Sequence, residues 1–276
     1  MTQRIRGNCQ FCGQYRDLTR EDLIPKWAAR YLRELGNTGD VLLSIRVRDL
    51  DTRSDLFNNR KKLGSFSAFK IPIVCGECNN GWMSSLEDGV RPIIEPMVAG
   101  LRTELTIKDQ ELLGSWLTLK LYTFDRLKLH PTLEKSVSTS EQSVVSDYEM
   151  KSFFAQPSPP KEFFARVGRL SNYGSNQVIF EFARKTTGPD LLELPQGTPA
   201  SCEFRFSLGP VLFHCMFTNS ESSKYYLPEI DILPQPYWSI VFPAVTTQQW
   251  PPPFSIDFNS LELSQGGWYN PVRDAE

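Results

Sequence analysis

The chain has 276 residues, 40% hydrophobic and 22% charged, a balance that supports one large or two ordinary domains and excludes a collagenous, coiled-coil or generally disordered protein. No apolar run approaches the roughly 18 residues of a membrane span, and the start MTQRIRGNCQFCG lacks an apolar signal core, so the expectation is a cytoplasmic, soluble protein with no membrane partner. The formal charge of -2 conceals an asymmetry: residues 1–72 hold 14 Lys and Arg against 8 Asp and Glu, or +6, which leaves 16 against 24, or -8, for residues 73–276. Any nucleic-acid partner is therefore expected at the basic N-terminal quarter, where cations can displace phosphate counterions, and a protein partner at the acidic C-terminal region. An ordinary solvated surface is the other reading of the same charges.

The first element is Cys9-x-x-Cys12 in GNCQFCG, matched by Cys75-x-x-Cys78 in VCGECNNGW after an interval of 62 residues. Two such pairs without a secretion signal point to the halves of one tetrahedral zinc site, because each two-residue spacer lets a tight turn aim both sulfurs at one ion. With four protein ligands the ion has no open position, so its role is structural. A thiol-redox role is the rival, and it requires only one pair. After the first pair, Ile24, Ala28, Tyr31 and Leu35 recur at helical spacing, and Pro25 and Gly36 mark a helix over about 25–35. Val41, Leu43, Ile45 and Val47 then alternate with Leu42, Ser44, Arg46 and Arg48, a strand whose basic residues share one face. Residues 51–63 are expected as a polar loop, with SFSAFKIPIVC returning as the second strand into Cys75. The second pair opens a helix carrying Met83, Leu86 and Val90, limited by Gly89 and Pro92.

From 106 onwards a capping-box start, Thr106 and Asp109, leads a helix with Leu113, Leu117, Leu121 and Phe124 on a face broad enough for burial on most sides. Another helix is expected at 145–155, ended by QPSPPKEFF. Antiparallel sheet follows: CEFRFSL and VLFHCMF across Gly209-Pro210, a strand at Val178, Phe180 and Phe182, and YWSIVFPA. Cys202 and Cys215 fall among aromatic residues and are expected as free core thiols. The two histidines have no ligand-like spacing. His130 is expected in a loop and His214 in the core. The tail WPPPFSIDF is expected to be extended or turn-rich.

The segments CQFCG, LTREDLIPKW and VCGECNNGWMSSLED together resemble bacterial and phage HNH, or ββα-metal, endonuclease-like proteins, whose pattern is Cys-x-x-Cys, Leu-Thr-x-Glu-His-(Ile/Val)-Ile-Pro and Cys-x-x-Cys-Asn-Asn-Gly-Trp. The likeness covers about residues 8–90. It implies an N-terminal HNH-like treble-clef zinc finger over residues 1–100, with Zn2+ on Cys9, Cys12, Cys75 and Cys78; with the helical plus antiparallel-sheet domain that the residue pattern gives for 101–276, an α+β fold is expected. It also implies metal-assisted phosphodiester hydrolysis of DNA, with a second ion, Mg2+ or Mn2+, near Glu21 and Asn79 or Asn80. The family's water-activating His falls on Asp22, and a carboxylate of ordinary pKa near about 4 is a weak base at neutral pH. Two functions follow: a divergent endonuclease using Asp22, Glu21, Asn80 and Asn79, or a catalytically silent treble-clef module that binds nucleic acid or protein. Simpler roles exist for the same residues. Glu21 and Asp22 can cap the helix at Pro25, Asn79 and Asn80 can cap the next, and Trp27 and Trp82 can pack around the zinc.

Overall fold

The computed structural model describes residues 5–22, 24–34, 40–49, 55–62, 70–126, 143–171, 177–186, 199–218, 238–244 and 246–256. Mixed helices and largely antiparallel sheets make up this α+β fold. His130 lies outside the described residues.

A small sheet of order β1-β2-β5 joins β1 (Ile5–Asn8), β2 (Tyr15–Asp22) and β5 (Lys70–Cys75). Helix α1 (Lys26–Glu34) starts just after Pro25, whose missing N–H costs nothing at a helix entrance. It buries Ala28, Ala29 and Leu32. Glu21 and Asp22 are the last two residues of β2, and the first turn of α1 itself holds no acidic residue. The alternating strand is β3 (Asp40–Asp49), but its partner differs from expectation. Residues 55–62, expected as loop, form β4 (Asp55–Lys62) opposite β3, while β5 pairs with β2 instead. Charged residues obscured β4 in the sequence, since an edge strand needs no second buried face.

The second Cys pair opens a single helical turn, α2 (Gly76–Cys78), then a wide π-type turn over Asn79–Met83 in which Gly81 takes φ -96°, ψ -112°. Helix α3 (Ser84–Val98) follows and runs through Gly89, Pro92 and Pro96 where an earlier end was expected. Interior proline costs about 3 kcal/mol. Six buried side chains, Leu86, Val90, Ile93, Ile94, Met97 and Val98, each contribute about 1.5–3 kcal/mol and outweigh it. Gly89 allows α3 to approach the next long helix, since a Cβ there would stand 3.4 Å from Leu112.

Strand β6 (Thr103–Leu105) precedes α4 (Ile107–Asp125), which begins at the expected capping box between Thr106 and Asp109 and is buried continuously from Leu113 to Asp125. Its far end is tied to α5 (Asp147–Ala155): Asp125 Oδ2 accepts from Val145 N at 3.1 Å, and Arg126 Nη2 donates to Asp147 Oδ1 at 2.8 Å.

The large sheet contains β7 (Phe163–Leu170), β8 (Gln177–Thr186), β9 (Pro199–Leu208), β10 (Val211–Thr218) and β11 (Trp238–Phe242) in the order β11-β7-β10-β9-β8-β3-β4. A short strand at Ser255–Ile256 also pairs with β7. β3 lies parallel to β8, so residues from both sides of position 100 share this sheet. The hairpin of β9 and β10 turns at Gly209, whose φ of +56° is open to glycine at little cost. One face of the sheet packs its aromatic residues on α4: Trp116 meets Phe206 and Phe213 edge-on at 5.7 Å, and Phe124 lies 4.1 Å from Phe204. Cys202 and Cys215 are fully buried here, in the core as expected, and neither is in a disulfide.

Candidate metal centre

The first half of the centre is the turn between β1 and β2. Gly13 adopts φ +72°, a region costly to residues with a Cβ, and this reverses the chain so that Gly13 N donates to Cys9 O at 2.8 Å and Cys9 N to Gln14 O at 2.9 Å. The second half is the end of β5. Pro72 cannot donate to the ladder, and a bulge on β5 itself accommodates it: Val74 pairs with Thr19 and Pro72 with Arg20, so that Ile73 falls between them. Ile73 O accepts from Gln10 N at 3.0 Å, which docks the first turn beside the second.

The four sulfurs of Cys9, Cys12, Cys75 and Cys78 consequently lie within 4.8 Å of one another, with Cys12 Sγ and Cys75 Sγ 3.8 Å apart. A tetrahedral ion with metal–sulfur bonds of about 2.3 Å separates its sulfurs by about 3.8 Å, so the donor set fits a metal such as zinc. Three of the cysteines are buried and Cys12 is half-buried. Burial pushes the Cys78 thiol up, against the nearby Trp82 indole, and also raises Cys12. At Cys9 burial acts in the same sense, but backbone donors from Cys75, Cys12 and Phe11 outweigh it and the net shift is downward. A bound dication would draw all four toward thiolate, and would be held structurally rather than for chemistry.

Trp82 shields this centre. Its ring meets Phe11 edge-on at 5.2 Å and Phe153 of α5 at 5.8 Å. Trp27 is partly buried against the core, with the Arg91 guanidinium 5.9 Å from its ring centre. Both tryptophans therefore pack.

The four residues that the resemblance marks for chemistry are divided between different surroundings. Asn79 Nδ2 donates to Thr19 Oγ1 at 3.0 Å, and Thr19 Oγ1 donates to Val74 O at 3.0 Å, so Asn79 ties the wide turn to β2. Asn80 is exposed and lines an open groove of about 940 Å³ with Arg6, Tyr15, Arg16, Asp17, Thr19, Cys75, Gly76 and Glu77. Asp22 is half-buried at the end of β2. Glu21 is 4% exposed and faces Lys120 of α4, itself 1% exposed.

Lys120 was not marked as a site residue by the sequence, although a lone charge in the apolar run WLTLKLYTF was a signal for it. Its ammonium donates to Glu87 Oε1 at 2.6 Å, Glu21 Oε1 at 3.1 Å and Asp22 O at 3.2 Å. Burial alone would lower the Lys120 pKa, but Glu87 and Glu21 reverse this and hold it charged. Glu21 shifts upward, chiefly by burial and further by Glu87, against the attraction of Lys120.

Within the groove both guanidinium groups have acidic neighbours. Arg6 Nε lies 3.3 Å from Asp17 Oδ1, and Arg16 pairs with Glu77. The groove beside the metal centre is thus close to electrically balanced. His214 sits far from this chemistry, 2% exposed on β10; Arg166 Nε donates to its Nδ1 at 2.8 Å, and Glu203 Oε1 lies 2.8 Å from its Nε2. Among the described residues no helix is long and apolar enough to cross a membrane. No protein-family model, curated protein or solved structure matches the chain.

Proposed function

We propose that the chain is an HNH-related treble-clef protein in which zinc on Cys9, Cys12, Cys75 and Cys78 staples a platform that binds DNA without cutting it. Lys120 is the observation that carries this reading. Its ammonium sits on Glu21 Oε1, Glu87 Oε1 and the Asp22 carbonyl, so a fixed cation already occupies the carboxylate around which the resemblance would place a catalytic dication. Displacing it would leave a buried ammonium without partners, at several kcal/mol. The order of cysteine turn, paired β2 and β5, and a helix entered through the second cysteine pair supports the treble clef. The +6 charge of residues 1–72 supports a polyanionic partner.

The second reading is a working endonuclease. Asn80 favours it, because this exposed side chain lines an open groove at the position where the family carries an ion ligand. In that case Asp22 would ligate Mg2+ or Mn2+ and Lys120 would orient Glu21.

Zinc-loaded protein incubated with supercoiled plasmid and Mn2+ separates the two. The binding reading predicts retarded plasmid with no nicking beyond that of a Glu21→Gln, Asp22→Asn variant. Nicking abolished by that variant would establish the endonuclease, and absence of any DNA binding at low salt would sink the first reading.

A further inference from the structure

The four sulfurs of the metal centre do not draw on one set of donors. Cys9 and Cys12 lie in the turn between β1 and β2, and a tight turn leaves amides outside any ladder. Backbone N–H groups of Cys75, Cys12 and Phe11 act on Cys9, and that of Gln14 on Cys12, in both cases against burial.

Cys78 is differently placed. It is the last residue of α2, and amides beyond it are spent on the helix: Asn79 N donates to Gly76 O, and Ser84 N to Gly81 O at the end of the wide turn. Cys78 is also 3% exposed, so water is no substitute. A thiolate in such a place is costly unless some other group donates to it.

Trp82 is positioned to do so. It follows Cys78 by four residues, and side chains at that spacing lie on the same side of a helical turn. Its Nε1 is buried and meets no oxygen acceptor among the described residues. The ring is fixed edge-on by Phe11 at 5.2 Å, Phe153 at 5.8 Å and Phe154 at 6.0 Å, so the N–H cannot turn elsewhere without repacking. At Cys78, burial raises the thiol and the hydrogen bond from the Trp82 indole opposes it. Trp27, Trp116 and Trp250 also bury Nε1 without an oxygen partner, so burial alone would not single out Trp82; its place beside a sulfur of the centre does.

We propose that Trp82 is a positioning residue of the metal centre, its indole N–H donating to Cys78 Sγ and holding that sulfur as a thiolate toward the ion. The role rests on the zinc reading of the four cysteines and is independent of whether the chain binds or cuts DNA. A donor of this kind favours the charged sulfur, and partners that orient a metal ligand contribute about 10–100-fold in metal affinity.

The test uses the full chain in two metal-loaded forms. Cadmium enriched in a magnetic isotope suits a thiolate site, and heteronuclear NMR of the loaded parent is expected to show one indole Hε1 coupled to the metal through the N–H···S bond. Trp82→Phe should abolish that coupling. In competition with a chromophoric chelator, Trp82→Phe, which keeps an aromatic ring against Phe11 and Phe153, should bind zinc about tenfold more weakly, whereas Trp27→Phe should stay within about twofold of the parent. If Trp82→Phe fails to fold, the coupling in the parent decides alone. A cadmium-loaded parent with no coupled indole would overturn the role of Trp82, even where Trp82→Phe weakens zinc binding, because packing alone would then explain the loss. Parental zinc affinity in Trp82→Phe, or a coupling that survives in it, would overturn the role as well, and each of these results leaves the four-cysteine site standing. A parent that binds neither metal would overturn the site and the role together.

Discussion

The small sheet and the large sheet are held together by different means. Strands β1 and β2 bury little, with Glu21 as the one buried residue of β2, and the turns around them converge on four sulfurs. The large sheet has β7, β9 and β10 buried almost throughout and stacks Phe204, Phe206 and Phe213 against α4 at centroid distances of 4.8 to 4.9 Å between successive rings. The same residue type follows this division: Cys9, Cys12, Cys75 and Cys78 gather at one point, whereas Cys202 and Cys215 are dispersed in an aromatic core. A region short of apolar burial needs a cross-link, and one built on aromatic packing does not.

Removing one sulfur should break this contrast most severely. Cys75→Ser is expected to abolish metal binding and cost the small sheet on the order of 10 kcal/mol, read as metal per chain and as proteolysis near residues 5–22. Cys215→Ala should leave metal content unchanged. In the large sheet, Trp116→Ala opens a cavity between α4 and two phenylalanines and should cost about 3–5 kcal/mol in urea unfolding without release of metal.

Lys120 links the regions, so its removal sharpens the comparison. Lys120→Met strands Glu21 and Glu87 and should cost about 3–5 kcal/mol, while adding Glu21→Gln should restore part of it. A double variant no better than the single one would show that the ion pair contributes little.

The large sheet should respond to acid through His214. Burial, with Arg166 beside it, pushes the pKa down to about 4 from 6.5. The unfolded chain therefore binds the proton first, and the neutral imidazole contributes stability above pH 6.5 that falls away between 6.5 and about 4. The loss is about 3 kcal/mol, and His214→Gln should flatten the stability profile across that window. The smallest effect is local: Ser146→Ala, which removes the cap of α5, should cost about 1 kcal/mol.

Much of this was legible in the sequence, wherever short-range rules suffice. The cysteine pairs, the capping box at Thr106 and the hairpin across Gly209 follow from spacing and turn chemistry, and each appears where expected. Pairing over distance was not legible. That β5 joins β2, and β3 lies between β4 and a parallel β8, depends on strands far apart in sequence, and alternation fixes a face but names no partner. Gly89 and Pro92 misled for another reason, since burial along α3 overrides their local cost. The candidate site was partly legible: the motif around Glu21 and Asn80 was visible, but the buried partner of Glu21 comes from a helix about 100 residues later.

Hydrogen exchange of the metal-loaded protein, before and after treatment with a chelator, tests the central claim most directly. The account predicts that chelation removes protection from β1, β2, β5 and residues 76–83, while α4, β7, β9 and β10 keep theirs. Unchanged protection in the small sheet, or an equal loss throughout the chain, would contradict it.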